Sequence, residues 1–458
     1  MTFVQQREKV GMSDTSTFNE IEQTDPSATF VSWLRKVAPY IHAFRGKTFV
    51  VGIDGELAHQ GYLHALAQDL SLLNALGIRI VLVYGLRPQI QEQLALRNIE
   101  PSFHNGWRVT DKATLECALE AAGELRLNIE AAFSQGLPNT PMAHAAIRVI
   151  SGNFVTASPV GILDGVDLLH TGKVRKIDTK AIDQTLANNA IVLLSPLGFS
   201  PTGEAFNLSL ENVATNAAKA LRADKLIFVC DTDGIHDEDH HLITELELDT
   251  AQHLLQQDHL NLMTKEYLRA CIAAIESGVN RAHLVSLKLD GSVLLELFTH
   301  DGVGTMISQK NLESLRPATL DDAAGIKALI EPLEIDGTLI RRGLESIERD
   351  IDKYTVLEHD GILWGCAALY EYTEGYGELA CLVVHPSCQG TGDGERLLKH
   401  IETLAKRRKL DTLFVLTTQT SHFFLKRGFT VTHVDKLPVE KKKLYNWTRK
   451  SQILIKKL

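Results

Sequence analysis

The chain has 458 residues, of which 44% are hydrophobic and 23% charged, and a formal net charge of -10. That length leaves room for two or more domains, the composition is that of an ordinary soluble globular protein, and the negative charge argues against general affinity for nucleic acid. No apolar run approaches the ~18 residues of a membrane span, and the first 28 residues lack the apolar core of a secretory signal.

Six cysteines, at 117, 230, 271, 366, 381 and 388, form no Cys-x-x-Cys pair, and several lie in apolar runs. Reduced, buried thiols in a cytoplasmic protein are expected. Residues 1–29 are expected to form a flexible tail, since 13–27 is rich in Ser, Thr, Asp and Glu. Phe30, Trp33, Leu34, Val37, Ile41 and Phe44 then recur at helical spacing. Pro39 interrupts them, so a kink or a restart is predicted. The apolar face of this helix needs cover, from the core or from a second subunit.

Strand-like runs at 48–53, 79–84, 144–150, 190–194 and 226–230 alternate with helical patterns at 62–76, 89–97, 111–133, 209–221 and 263–276. This alternation predicts an α/β fold: an open, mainly parallel sheet with helices on both faces. Past a polar connector at 309–316 the pattern becomes α+β. Helices are predicted at 320–333 and 339–350. Strands are predicted at 354–358 and 363–372, around the turn His359-Asp360-Gly361, and at 377–384, 412–417 and 452–456.

The chemistry-bearing stretch is His385 to Leu398. It follows the apolar run Leu379-Ala380-Cys381-Leu382-Val383-Val384 and precedes an amphipathic pattern at 395–408. A strand, a glycine-rich turn and a helix leave N–H groups free at a helix N-terminus, where they bind phosphate oxygens. The nucleotide loop Gly-x4-Gly-Lys-Ser/Thr is absent, and the glycines do not have dinucleotide-loop spacing. The pattern present is Gln389-x-x-Gly-x-Gly394. It resembles the acyl-CoA pyrophosphate loop of the GNAT superfamily of N-acetyltransferases. With Gly-Glu-Leu-Ala-Cys-Leu-Val-Val-His-Pro before it and Phe-Leu-Lys-Arg-Gly-Phe after it, the last third of the chain resembles the catalytic domain of bacterial N-acetylglutamate synthases.

The resemblance implies a GNAT domain at 317–458 that uses acetyl-CoA and L-glutamate as substrates, with no metal or redox cofactor. Gln389, Gly390, Thr391, Gly392, Asp393 and Gly394 would hold the pyrophosphate, and Leu382 and Val383 the thioester. Glu378 would be the general base. The tyrosine that many GNAT enzymes use as the thiolate acid is Phe424 here, which is expected against coenzyme A. Thr417 stands where synthases carry a hydroxyl proposed for that role. The glutamate carboxylates would meet Arg341, Arg449 and Ser451 near Cys381, and Arg342 can exchange with Arg341 because the register is open by one.

Residues 30–308 resemble the amino-acid kinase fold, and acetylglutamate kinases in particular, through Asn105-Gly106-Trp107-Arg108-Val109-Thr110-Asp111, Val160 to Asp167 and Leu295 to Thr305. The lysine that such kinases carry in the first strand-loop is replaced here by Val51-Gly52-Ile53-Asp54-Gly55. The second loop reads Tyr84-Gly85-Leu86-Arg87-Pro88. A kinase fold without kinase activity is therefore expected, with regulation as its remaining role. Resemblance to arginine-sensitive kinases places an arginine site at Tyr40, Lys225, His283, Glu296 and Gly302, and a homo-oligomer, a hexamer, through the N-terminal helix. The rival readings are an acetylglutamate kinase or bifunctional enzyme, a non-catalytic arginine-sensing protein, and the same transfer to another amine.

Overall fold

The structure, a computed structural model, describes residues 26–136, 140, 142–145, 147–257, 260–299, 302–309, 314–359, 362–390 and 392–458. Most of the expected tail, residues 1–25, lies outside them, as do Asp360 and Gly361 of the predicted hairpin turn. One compact unit runs to Pro39 and a second from Tyr40 to Leu458. The first helix, α1 (Pro26–Phe44), runs through Pro39 without the predicted restart. Proline removes a single hydrogen bond, the one to the carbonyl four residues back. Arg35 and Pro39 are both exposed, so that carbonyl is on the solvent side of the helix.

The mainly parallel sheet is present. Its strands are β1 (Thr48–Ile53), β2 (Arg79–Tyr84), β3 (Val149–Ser151), β4 (Ile191–Leu194), β5 (Lys225–Cys230), β6 (Glu245–Glu247), β7 (Arg281–Ser286) and β8 (Thr305–Ser308), in the order β6-β8-β7-β5-β1-β2-β4-β3. Every junction is parallel except β7–β8. All residues of β1, β5 and β7 are buried, as expected for strands covered on both faces. The helices α2 (Leu210–Leu221) and α3 (Leu262–Glu276) begin at Ser209 and Asn261, whose side chains accept the N–H groups of Asn212 and Thr264. The helix α4 (Ser292–Phe298) follows β7.

A four-stranded sheet, absent from the predicted elements, joins Ala205–Asn207, Leu197–Phe199, Val155–Pro159 and Gly172–Ile177. Its glycines sit at close approaches. A Cβ at Gly198 would lie 2.7 Å from Ala157, and one at Gly172 would lie 2.6 Å from Phe206. The strand predicted at 144–150 shrinks to Val149–Ser151.

A second sheet contains β9 (Ser314–Pro317), β10 (Tyr354–His359), β11 (Ile362–Tyr372), β12 (Tyr376–Val384), β13 (Thr412–Thr417), β14 (Thr430–Thr432) and β15 (Gln452–Lys457), in the order β9-β10-β11-β12-β13-β15-β14. Its first strand falls within the predicted connector. The helix α5 (Ala323–Ile335) packs on one face, and α6 (Asp393–Arg407) packs on β11 and β12. The helix predicted at 339–350 is only Leu344–Arg349, because Gly343 is extended at its N-cap; Arg341 and Arg342 precede the helix.

Arg316 fastens this sheet at its edge. Its Nη1 and Nη2 donate to Asp322 at 2.7 and 2.8 Å, and its Nε donates to Glu358 at 2.6 Å. The bidentate bond from Arg316 is the largest influence on the Asp322 carboxyl and, with the N–H of Thr319, brings it to about 2. A depressed folded-state value stabilises the fold above the ordinary carboxylate range, and that stabilisation is lost as pH falls toward 2. Asp322→Asn should therefore lower the urea midpoint near neutral pH, and the gap from wild type should narrow between about pH 4 and pH 2. A gap independent of pH would show that Asp322 contributes only by packing.

Candidate functional site

The glycine-rich loop leaves β12 and enters α6 as its sequence requires. Gly390 and Gly392 have φ values of 99° and 102°, the left-handed region that glycine enters freely, and a Cβ at either would meet nothing within 4 Å. Gly392 is the N-cap of α6, so the first N–H groups of the helix have no carbonyl one turn earlier. The Gln389 amide donates to the Val384 carbonyl at 3.3 Å and closes the loop on its strand. Asp393 is buried and pairs with Arg396 at 3.3 Å, so it offers the loop its backbone rather than its carboxylate. Thr391 lies outside the described residues. Phe424 is seated in the core against Phe423 and Phe429. Phe423 is the ring beside the loop, 3.5 Å from where a Gly394 Cβ would be.

Beside the loop the sheet opens. β12 and β13 pair in parallel only through Tyr376↔Thr412, Gly377↔Leu413 and Glu378↔Phe414, and beyond Glu378 they part. On its other edge β12 bulges between Ala380 and Val383, with Cys381 at φ 50°. The bulge breaks the regular ladder at Leu382, next to the parting. Cys381 is buried; it receives the Tyr354 hydroxyl on Sγ at 3.8 Å, and burial pushes its thiol up. All six cysteines are free and buried.

Glu378 stands at the parting and is only 7% exposed. Its Oε2 accepts the Tyr372 hydroxyl at 2.8 Å, and its Oε1 pairs with Lys441 Nζ at 2.7 Å. Neither partner was found from the sequence. Tyr372 lies six residues upstream across a hairpin, and Lys441 belongs to a run of lysines that reads as solvated charge. At the end of β13 the Thr417 oxygen accepts the N–H groups of Thr420 at 3.0 Å and Gln419 at 3.4 Å, and the Thr417 and Thr420 hydroxyls are hydrogen-bonded at 2.9 Å.

The arginines differ in setting. Arg341 is exposed. Arg342 turns inward: its N–H donates to Glu334 at 2.8 Å, and its guanidinium donates to the Tyr370 hydroxyl at 2.6 Å. Arg449 bonds the carbonyls of Thr338 and Gly337, which joins the C-terminal segment to the loop after α5. Its Nε is buried with no hydrogen-bond partner among the described residues. Ser451, close by in the chain, is buried.

In the larger sheet, the loops after β1 and β2 are locked together. Asp54 accepts the Tyr267 hydroxyl at 2.5 Å. Arg87 pairs with Glu211 at 3.3 Å and with Glu266 at 2.6 Å. Gln89 donates to the Gly55 carbonyl at 2.7 Å, and Pro88 lies 2.8 Å from where a Gly55 Cβ would stand. Side chains occupy the place where phosphates would need free backbone N–H groups.

The other predicted cluster assembles at β7. His283 Nδ1 lies 2.7 Å from Glu296 Oε1, and Lys225 Nζ lies 3.5 Å from His283 Nε2. Glu296 Oε2 accepts the N–H groups of Val303 and Gly304 at 2.8 and 2.9 Å. Burial, then the Lys225 charge, push His283 below its ordinary range, so it is neutral. Burial alone would raise Glu296; the bonds from His283, Val303 and Gly304 outweigh it and hold the carboxylate ionised. Gly302 folds over this carboxylate, where a Cβ would meet Oε2 at 2.6 Å. The Tyr40 ring lies 6.3 Å from Phe298 of α4 and 5.9 Å from Trp364 of β11. Trp364 in turn stacks edge-on with His385 at 5.3 Å, the residue that follows β12.

These features define a class: a mainly parallel α/β sheet of the amino-acid kinase type joined to an acyltransferase sheet of the GNAT type. The pattern of the Amino acid kinase family matches residues 47–286, and that of the Acetyltransferase (GNAT) domain matches residues 350–431. The chain belongs to the amino-acid acetyltransferase family. It is 60% identical to the amino-acid acetyltransferase of Ralstonia nicotianae over 96% of this chain and 97% of that one. It is 46% identical to that of Yersinia enterocolitica over 94% and 98%. Its structure is similar to N-acetylglutamate synthase from Neisseria gonorrhoeae complexed with coenzyme A and L-arginine, with TM-score 0.84, 40% identity and coverage of 94% and 99%. Against the complex of N-acetylglutamate synthase from the same organism with coenzyme A and N-acetyl-glutamate the TM-score is 0.61 at the same identity and coverage.

Burial of the thiols bears on covalent chemistry. A raised, buried Cys381 is a poor nucleophile. Native protein treated with iodoacetamide near neutral pH should keep Cys381 and Cys388 unmodified by peptide mass spectrometry, while urea exposes both. Rapid alkylation of Cys381 in the native protein would reopen an acyl-enzyme route.

Proposed function

We propose that the chain transfers the acetyl group of acetyl-CoA to the amine of L-glutamate, giving N-acetyl-L-glutamate, the first step of arginine synthesis, and that L-arginine inhibits it. The observation that carries this reading is the buried Glu378 carboxylate at the parting of β12 and β13, beside the Gln389–Gly394 loop. Residues 317–458 are the catalytic domain, residues 30–308 the regulatory one, and 309–316 the connector between them. The pyrophosphate lies on the N–H groups of Gly390, Gly392, Asp393 and Gly394, and the thioester carbonyl on the N–H groups of Leu382 and Val383 at the bulge. The substrate carboxylates meet Arg341, Arg449 and Ser451 close to Cys381, with the unpartnered Arg449 Nε a donor in place. Glu378 takes a proton from the substrate ammonium, and the free amine attacks the thioester carbon while the carbonyl electron pair moves onto oxygen. Collapse breaks the C–S bond; the departing thiolate takes the Thr417 hydroxyl proton, the proton still carried by the nitrogen replaces it on Thr417, and Glu378 returns its own proton to solvent.

The regulatory reading rests on the Lys225–His283–Glu296 cluster. A guanidinium has the donors that Glu296 and the Gly302 carbonyl can accept, and Lys225 has the charge for a carboxylate. Inhibition requires arginine to favour one of two arrangements of the protein. The locked loops at Asp54 and Arg87 support a domain without kinase activity. Phe30, Trp33 and Leu34, exposed on α1, support a homo-oligomer, a hexamer, through that helix. Among the described residues no helix is long and apolar enough to cross a membrane, and six free thiols support a cytoplasmic protein.

Thiol release from acetyl-CoA, measured against a panel of amino acids, should be fastest with glutamate. Glu378→Gln should keep the fold and lower turnover by roughly 10²–10⁴, the usual value of a positioned base. A variant within a few-fold of wild type would remove Glu378 from the chemistry, and preference for lysine would change the substrate.

Glu296→Gln is the better regulatory probe than alanine, because its amide oxygen can still accept N–H groups of the Val303–Gly304 turn. It should keep most of the activity measured without arginine and lose arginine inhibition by tenfold or more in effector concentration, roughly the loss of one charged hydrogen-bond pair. Unchanged sensitivity, or arginine competing directly with glutamate, would defeat the regulatory site.

A further inference from the structure

The lysine run Lys441-Lys442-Lys443 lies on the short helix Val439–Lys443, and only part of it is solvated. Lys443 is exposed, whereas the Lys441 side chain is 18% exposed and ends 2.7 Å from Glu378 Oε1. The segment leading into the helix is anchored by Leu437, buried in a cluster with Phe414 and Ile453 against Tyr372, Tyr376 and Tyr445. Glu440, the neighbouring residue, turns the other way, with both carboxylate oxygens 3.3 Å from the Thr373 hydroxyl.

We propose that Lys441 is a positioning residue for the acetyl transfer: its ion pair holds the buried Glu378 carboxylate aimed at the parting of the strands. The proposal rests on Glu378 being the base. A carboxylate taken out of water is costly to ionise unless an opposite charge and hydrogen bonds replace the lost hydration. Around Glu378, β11 presents the Tyr372 hydroxyl, which donates to Oε2, and Tyr370, its cross-strand neighbour. β13 presents the apolar Phe414. On its own strand the titratable groups are Tyr376, two residues before it, and the Cys381 thiol, three residues after it. Arg342 is engaged with the far side of Tyr370. The helix Val439–Lys443 supplies Lys441, and Glu440 of the same helix faces Thr373. Among the described groups, Lys441 is thus the cation in direct contact with the carboxylate. A carboxylate accepts more than two donors, so the substrate ammonium can join Tyr372 and Lys441 on Glu378 without displacing either. The positive charge of Lys441 also makes the neighbouring ammonium easier to deprotonate.

The test is the pH profile of kcat with the full chain, both substrates saturating and arginine absent. Removing an opposite charge raises the value at which a buried carboxylate ionises. Lys441→Met keeps the aliphatic stem and should move the acid limb up by about one unit or more, with the alkaline plateau within a few-fold of wild type. Lys441→Arg should restore the wild-type limb. Lys441→Gln, a second neutral variant, should behave like Lys441→Met and serves if the methionine variant does not fold. A merely structural lysine would scale the whole profile without moving the limb, so an unmoved limb in either neutral variant overturns the proposal. Glu378→Gln measured alongside separates the two failures. If that variant is inactive while the limb stays in place, the lysine proposal alone fails; if it retains turnover, the base reading fails and the lysine proposal with it.

Discussion

The acyltransferase half depends on one break in pairing. Parallel strands need a crossover between them, and here β12 and β13 are joined through the glycine loop and α6. Their ladder is held for three residue pairs and stops at Glu378↔Phe414. Past that point the backbone groups of β12 on this edge are not paired with β13. The bulge at Cys381 makes the parting possible, since a regular ladder would have carried the strand straight on. Cys381 sits in the left-handed region although it has a Cβ, a local cost accepted where a backbone must be re-aimed. Glu378, the bulge and the Gln389–Gly394 loop therefore lie along one strand and its continuation.

The larger sheet keeps its central strands buried on both faces, while the loops after β1 and β2 are tied by Arg87, Glu211, Glu266, Pro88 and Gln89. Packing of a parallel sheet is indifferent to what its loops carry, so a fold of this kind can keep its core while its sites change. Its buried polar centre is Lys225, His283 and Glu296, three groups linked in a chain. Aromatic rings at Tyr40, Phe298, Trp364 and His385 continue from that centre to the residue that follows β12.

Much of this was legible in the chain alone. Alternating apolar runs, long enough and β-branched enough, specify buried parallel strands, and glycines at 390, 392 and 394 specify a loop open to phosphate, because these depend on local conformation and on period. Helix limits were less legible where one residue decides. Gly343 cut a predicted helix to Leu344–Arg349, and Pro39 failed to interrupt α1. The four-stranded sheet with Gly172 and Gly198 was not legible at all, since its short strands pair through contacts that no local period marks.

What the sequence by itself determined was the kind of element at each place and the residue types able to carry charge, phosphate or a proton. What the tertiary structure decided was which of several equivalent residues meets which partner. Lys441 and Lys443 are the same residue in one charge run, and only the anchoring of Leu437 against Phe414 turns Lys441 inward. Arg341 and Arg342 are adjacent, and only the place of Tyr370 on β11 draws Arg342 in. Phe423 and Phe424 are adjacent too, and the helix turn sends one to the loop and the other to the core. Local sequence encodes conformation through short-range sterics. The pairing of charges and rings depends on contacts between residues tens of positions apart, which exist only once the sheets have formed.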